Sequence, residues 1–247
     1  MKRSGEVAGM VRLVASLMAL LITALPVFAG DRAGLDVIGY SGDGRYLAFE
    51  EFGVQDGSGL AYSTIYVIDL STDSWVVGTP IRVEAAGEDK ALGAVRADVR
   101  AQAAADIEEL GIDFPADLIA LVGDGLPDTD GKGLAFGVPG YLPGSVTGDY
   151  ELRLSSFAAN AASPCKEWFS VDPLGYQLEL VEGTSAKLVH RDDALPRSRG
   201  CPTAYRLYGV VLPYMAQSIE DAVALISVYP GGFEGPDRRF LAVPLGR

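Results

Sequence analysis

The stretch Asp36-Val37-Ile38-Gly39-Tyr40-Ser41-Gly42-Asp43-Gly44-Arg45-Tyr46-Leu47-Ala48-Phe49-Glu50-Glu51-Phe52 decides the fold class. Two apolar-rich runs, 36–40 and 45–52, flank Ser41-Gly42-Asp43-Gly44, where glycine supplies the positive φ that a tight turn needs. Both alternating faces of the second run carry apolar groups, Leu47 and Phe49 on one, Tyr46, Ala48 and Phe52 on the other. Such a strand is expected to be covered on both sides. A Gly-rich loop, 53–60, leads to a third run, 63–70, rich in β-branched and aromatic residues. Ser71 to Ser74 then turn the chain into a short fourth run around Trp75-Val76-Val77. The pattern predicts a four-stranded antiparallel meander.

Downstream, residues 88–110 predict the one long amphipathic helix, because Leu92, Val95, Val99, Ala103, Ile107 and Leu110 recur at three- and four-residue steps. Glu88 and Asp89 would sit at the positive end of its dipole, and Gly111 is a natural stop. The pattern then returns to β. Residues 117–122 read as a strand or short helix, and 133–140, 150–157, 204–212, 222–229 and 239–244 as strands. Residues 177–181 and 187–190 read as a hairpin across Glu182-Gly183-Thr184. The Pro- and Gly-containing stretch 137–148 is either a sub-boundary or a long loop. The expected fold class is mainly β, a β-rich α+β arrangement of antiparallel meander sheets with one long helix, in a single composite domain over 30–247. A complete propeller is not expected, since it needs at least about four blades of roughly 40 residues visible as an internal repeat.

At the amino end, Lys2, Arg3 and Arg12 precede an apolar run, Leu13 to Leu25, which Pro26 breaks before Val27-Phe28-Ala29. Basic start, short apolar run and small residues at the −3 and −1 positions read as a secretory signal peptide over 1–29. The alternative, a transmembrane anchor, takes about 20 apolar residues. No cysteine follows the cut, so the pattern is not that of a lipoprotein signal. The expected location is periplasmic or secreted, with no membrane anchor after cleavage. The net charge of −13 becomes more negative once Lys2, Arg3, Arg12 and Glu6 are removed. That acidity argues against nucleic acid and anionic lipid surfaces as partners and favours solubility. Cys165 and Cys201 are the only two cysteines, and in an oxidising compartment they are expected to pair; the alternative is a reactive thiol, whose sole imidazole partner would be His190.

Gly39 to Phe49 followed by Ile65-Tyr66-Val67-Ile68-Asp69-Leu70 resembles one blade of the propeller repeat of periplasmic TolB-type proteins. Over its length the chain resembles a bacterial family of predicted secreted proteins of unknown function. The carrying segments are Glu50 to Gly59, Ser198-Arg199-Gly200-Cys201-Pro202 and Gly232 to Phe240. This second resemblance implies export and a shared fold, and no activity.

Motifs for catalysis are weak. Ser41 fails as a nucleophile elbow because Asp43 stands where glycine is needed, and Ser163-Pro164-Cys165-Lys166 matches Ser-x-x-Lys by letters alone. His190, at a strand end, reads as a surface histidine. One histidine and two paired cysteines leave no usual zinc site. Asp124, Asp128 and Asp130 fall short of an EF-hand, with Leu126 at its first ligand position and Gly137 at its twelfth. Gly42-x-Gly44 and Gly131-x-Gly133 lack the third glycine of a phosphate loop. No metal or cofactor is expected. Glu50 and Glu51 are the acids of interest; as strand neighbours they point to opposite faces and cannot form one dyad, so a partner such as Asp43 or Asp237 would come from elsewhere. The competing expectation is that one is exposed and the other paired with Arg45, Arg238 or Arg239. Gln55, Asp56 and Tyr62, in or beside the loop 53–62, are the candidate binding residues. The leading functional reading is a non-enzymatic binding or scaffolding module of the cell envelope, with an envelope protein or glycan as partner. The alternative is a carboxylate-dependent hydrolase of envelope glycan using Glu50 or Glu51.

Overall fold

The computed structural model describes residues 30–126, 129–232 and 234–246. The signal-peptide reading of 1–29 and the position of Asp128 lie outside the described residues. The meander forms as its pattern requires: β1 (Gly34–Ser41), β2 (Tyr46–Val54), β3 (Ala61–Asp69) and β4 (Ser74–Trp75) pair antiparallel in sequence order. Gly44, at φ +71°, closes the β1–β2 turn. Two strands not foreseen complete this first sheet: β5 (Ile81–Glu84) pairs with β3, and β6 (Ile112–Phe114) pairs with β1. Both are too short to show periodicity in sequence. The segment that resembles a propeller blade is therefore part of a six-stranded sheet, and the described residues form neither a propeller nor a closed barrel.

Helix α1 (Leu92–Glu109) begins later than expected. Glu88 and Asp89 lie before it, its first turn holds no acid, and Gly111 at φ +61° follows its end. Val95, Val99 and Ala103 of the expected stripe are buried on the first sheet, Val99 and Ala103 against Ala48, Ile65 and Val67, and Val95 against Ala61 and Ala85.

The rest of the chain makes two four-stranded sheets. β7 (Ala116–Leu121), β12 (Pro202–Pro213), β13 (Val223–Pro230) and β14 (Arg239–Pro244) form the central one, in the order β14-β13-β12-β7. β8 (Gly133–Pro139), β9 (Val146–Ala158), β10 (Leu174–Glu182) and β11 (Ser185–Arg191) form the outer one, in the order β11-β10-β9-β8. The stretch 137–148 holds the end of β8, a turn and the start of β9. The five-residue helix α2 (Cys165–Phe169) precedes β10.

Layering follows from the apolar pattern. Val223 and Leu225 of β13 pack with Leu47, Phe49 and Tyr62 of the first sheet. Their alternates Ala224, Ile226 and Val228 pack with Leu152, Tyr176 and Leu178 of the outer sheet. The central sheet is thus buried on both faces, which is why β13 reads as an unbroken apolar run. The order of layers is α1, first sheet, central sheet, outer sheet.

Candidate functional site: a cleft at the edge of the central sheet

Glu50 and Glu51 point to opposite faces, as their adjacency in β2 dictates. Glu50 faces α1 and is fully buried. Its carboxylate accepts from Ser63 Oγ (2.7 Å), from Arg96 Nε (2.8 Å) and Nη2 (2.9 Å), and from Arg100 Nε (2.9 Å) and Nη2 (2.7 Å). Asp36 shares both guanidiniums, at 2.7 and 2.9 Å. Burial works to raise the Glu50 carboxyl, but the two arginines and the Ser63 hydroxyl outweigh it and hold it below the ordinary range. None of the expected partners serves Glu50: Arg45 pairs with Asp69 (2.7 Å), Arg238 with Asp124 (2.8 Å), and Arg239 lies on the other face. The signal for the true pair was present, since Arg96 and Arg100 are four residues apart and share one side of α1. This cluster clamps the helix to the sheet.

Glu51 faces the central sheet and is buried. It accepts from the Phe240 N–H (2.9 Å) and lies 3.6 Å from Arg239 Nε. Arg239 also meets Asp31 (2.8 Å), Asp237 (3.3 Å) and the Tyr62 hydroxyl (3.0 Å). Three carboxyl groups thus surround one guanidinium. Burial pushes the Glu51 carboxyl up to about 7, against the pull of Arg239 and the Phe240 amide, and burial also raises Asp237. Because the folded value for Glu51 lies above its ordinary value, the folded state binds the proton more tightly than the unfolded chain. Its stabilisation is full below pH ~4.5 and is lost as pH rises towards 7, a swing approaching ~3 kcal/mol. Glu51→Gln keeps an acceptor for Phe240 and is expected to flatten urea-denaturation stability across that window. Identical pH slopes in variant and parent would disprove this assignment.

The other expected contact residues are dispersed. Tyr62 is fully buried, because it lies on the face of β3 that packs against the central sheet, so it presents no surface to a ligand. Gln55 and Asp56 sit in the β2–β3 turn, where Gln55 holds Ser58 and Asp56 lies against Glu234. Asp124 is engaged by Arg238 and by the Tyr229 hydroxyl (2.6 Å), and Asp130 by the Lys132 amide (2.8 Å). Among the described residues no group of three or more His, Cys, Asp or Glu side chains is placed to hold a metal ion.

The concavity that the sequence did not mark is a cleft of about 540 Å³ where the three sheets meet. The first and outer sheets extend past β14, the edge strand of the central sheet, so that Phe240 to Val243 form a recessed floor. One wall is aromatic: Phe49 and Tyr66 stack at 4.9 Å, Tyr66 and Trp75 meet at 5.6 Å, and Trp75 is 45% exposed. The opposite wall carries Tyr176 and the segment Arg197–Gly200. His190, expected on the surface, is instead part-buried in this wall, stacked on Tyr176 at 4.6 Å and 3.1 Å from Asp192. Arg199 lies 3.5 Å from Asp192 and over the Tyr176 ring. Exposed Arg82 and Arg197 also line the cleft. Cys165 and Cys201 form a disulfide that ties the end of the arginine segment to α2.

A family model covers residues 48–246, from β2 to the end of β14, and so takes in nearly all of the cleft. The chain belongs to the family described as predicted secreted protein (DUF2259). No curated protein and no solved structure matches it. Members of this family carry no stated molecular role in that description. Among the described residues of this member no helix is long and apolar enough to cross a membrane.

Proposed function

We propose that the chain is an exported, non-enzymatic binding module of the cell envelope, and that the cleft between the three sheets is its binding site. The observation that carries this reading is four arginines, 82, 197, 199 and 239, and a half-exposed tryptophan around one concavity in a chain of net charge −13. Arg199 and Arg239 are tied to carboxylates inside the walls. Arg197 has no ion-pair partner among the described residues, and Arg82, which lies over the Tyr62 ring and reaches Thr64 Oγ1, has the exposed Glu84 at 3.2 Å as its ion-pair partner, a contact worth ~0–1 kcal/mol. Their charge is available to a ligand, and aromatic faces beside exposed guanidiniums favour a flat or extended group with carboxylates. The hydrolase reading draws less support, because Glu50 serves the helix clamp and Glu51, whose Oε2 caps the Phe240 N–H, has Arg239 rather than a second free carboxylate beside its Oε1.

A photocrosslinking residue at position 75 is expected to capture an envelope component in cells, whereas the same residue at Tyr141, exposed on the β8–β9 turn, captures none. Equal labelling at both positions would remove the cleft as the binding site. Trp75→Ala is expected to abolish capture by a crosslinker moved to position 82 while costing about 1 kcal/mol of stability or less, as half-exposed side chains usually do.

A further inference from the structure

We propose that the cleft receives an extended, acidic peptide segment, which adds as a fifth strand to the central sheet along the free edge of β14; this rests on the cleft being the binding site. The direction of each β14 amide is fixed by bonds on the page. Asp237 N–H donates to Pro230 (2.9 Å) and Leu245 N–H to Ala222 (2.8 Å), so odd positions face β13. Arg238 N–H donates to Asp31 (2.7 Å) and Phe240 N–H to Glu51 (2.9 Å), so even positions face away. In an antiparallel ladder these directions alternate, so Ala242 turns both its N–H and its C=O outward, into the cleft that it lines.

The other outward N–H positions are accounted for. The segment at Asp31 covers Arg238, the Glu51 carboxylate caps Phe240, and Pro244 has no N–H to offer, as befits an edge position. Among the described residues no strand pairs with β14 on this side. Ala242 is nevertheless buried, between walls that rise past it. The Ala242 N–H and C=O face the cleft with no strand among the described residues beside them, so an extended segment entering there can pair with both. Stacked sheets lie about 10 Å apart, so an added strand would continue the central sheet and send alternate side chains to the two walls. One wall would offer Trp75, Tyr66 and Arg82, the other Tyr176, His190 and Arg197. Main-chain bonds then supply affinity and the arginines select acidic side chains, the division of labour of strand addition.

The test uses a pool of acetylated heptapeptides in which glutamate alternates with valine, isoleucine, phenylalanine or tyrosine, and a matched lysine pool. The glutamate pool is expected to bind saturably, and the lysine pool at least about tenfold more weakly. On binding, exchange of the Ala242 amide is expected to slow by about tenfold or more. N-methylation of alternate peptide amides should abolish binding, and Arg82→Glu with Arg197→Glu should weaken it at unchanged melting temperature. Binding that neither protects Ala242 nor notices N-methylation would overturn strand addition and leave the cleft as a side-chain site. So would binding of polygalacturonate, lost in Trp75→Ala, with no binding of either peptide pool. Protection of Ala242 that grows with protein concentration alone would make the occupant a second copy and sink the acidic-peptide proposal. No binding of either probe, with no response to Trp75→Ala, would remove both readings.

Discussion

Glu50→Ala is expected to lower the free energy of unfolding by about 3–4 kcal/mol, because it removes one side of a buried ion cluster and leaves two guanidiniums and a serine hydroxyl facing a void. The cost falls at the lower end for a broken buried pair, since Arg96 and Arg100 are 25% and 51% exposed and keep Asp36. In a chain of this size that amounts to a fall in melting temperature of roughly 6–16 °C. Amide exchange in α1 should accelerate before that in β13, because the cluster joins the helix to β2 and touches nothing in the central sheet. Glu50→Gln retains an acceptor for Ser63 and should lose less. Acid should mimic the substitution: the folded value of this carboxyl lies below its ordinary value, so its stabilisation is present above the ordinary value and is lost as pH falls through the folded one. Unchanged stability in Glu50→Ala would mean that the apolar stripe Val95, Val99 and Ala103 holds the helix unaided.

Removing the disulfide is the second large effect. Cys165 and Cys201 are 36 residues apart, and the loop-closure entropy of a ring of that length amounts to about 4 kcal/mol. The double Cys→Ser variant is expected to lose about that much in urea denaturation, and stability equal to the parent under oxidising conditions would contradict it. Its local effect bears on the cleft. The segment before Cys201 carries Arg197 and Arg199, and apart from the disulfide it is held by bonds between Leu195 and the backbone of Asn160 and Ala162, by Arg199 against Asp192 and the Tyr205 hydroxyl, and by the Gly231 N–H donating to Cys201. Exchange at residues 197–200 should therefore rise more than at Trp75 on the opposite wall.

Several features were legible without coordinates because they are local. The turn at Gly44, the strands of the meander, the hairpin across Gly183 and the helix stripe each arise from periodicity and turn chemistry within a dozen residues. The opposite facing of Glu50 and Glu51 follows from strand geometry alone. The disulfide follows from there being two cysteines, and membership of a secreted family from the residue pattern. The segments β5 and β6 escaped because three or four residues carry no period.

The cleft was not legible, because no single segment contains it. Phe49, Trp75 and Arg82 come from β2, β4 and β5, Tyr176 and His190 from β10 and β11, and the floor from β14. Each reads in sequence as an ordinary strand residue. Arg239, one among the basic residues of an acidic chain, acquires three carboxyl neighbours only when residues 31, 51 and 237 converge. The sequence by itself determined the longer strands, the one long helix, which cysteines join and that the two glutamates of β2 take opposite sides, since backbone geometry and composition fix these locally. Only the tertiary structure decided that the central sheet ends at β14 in a recess between the other two sheets, because strand order and sheet width depend on pairings between residues far apart in the chain, which local pattern does not encode.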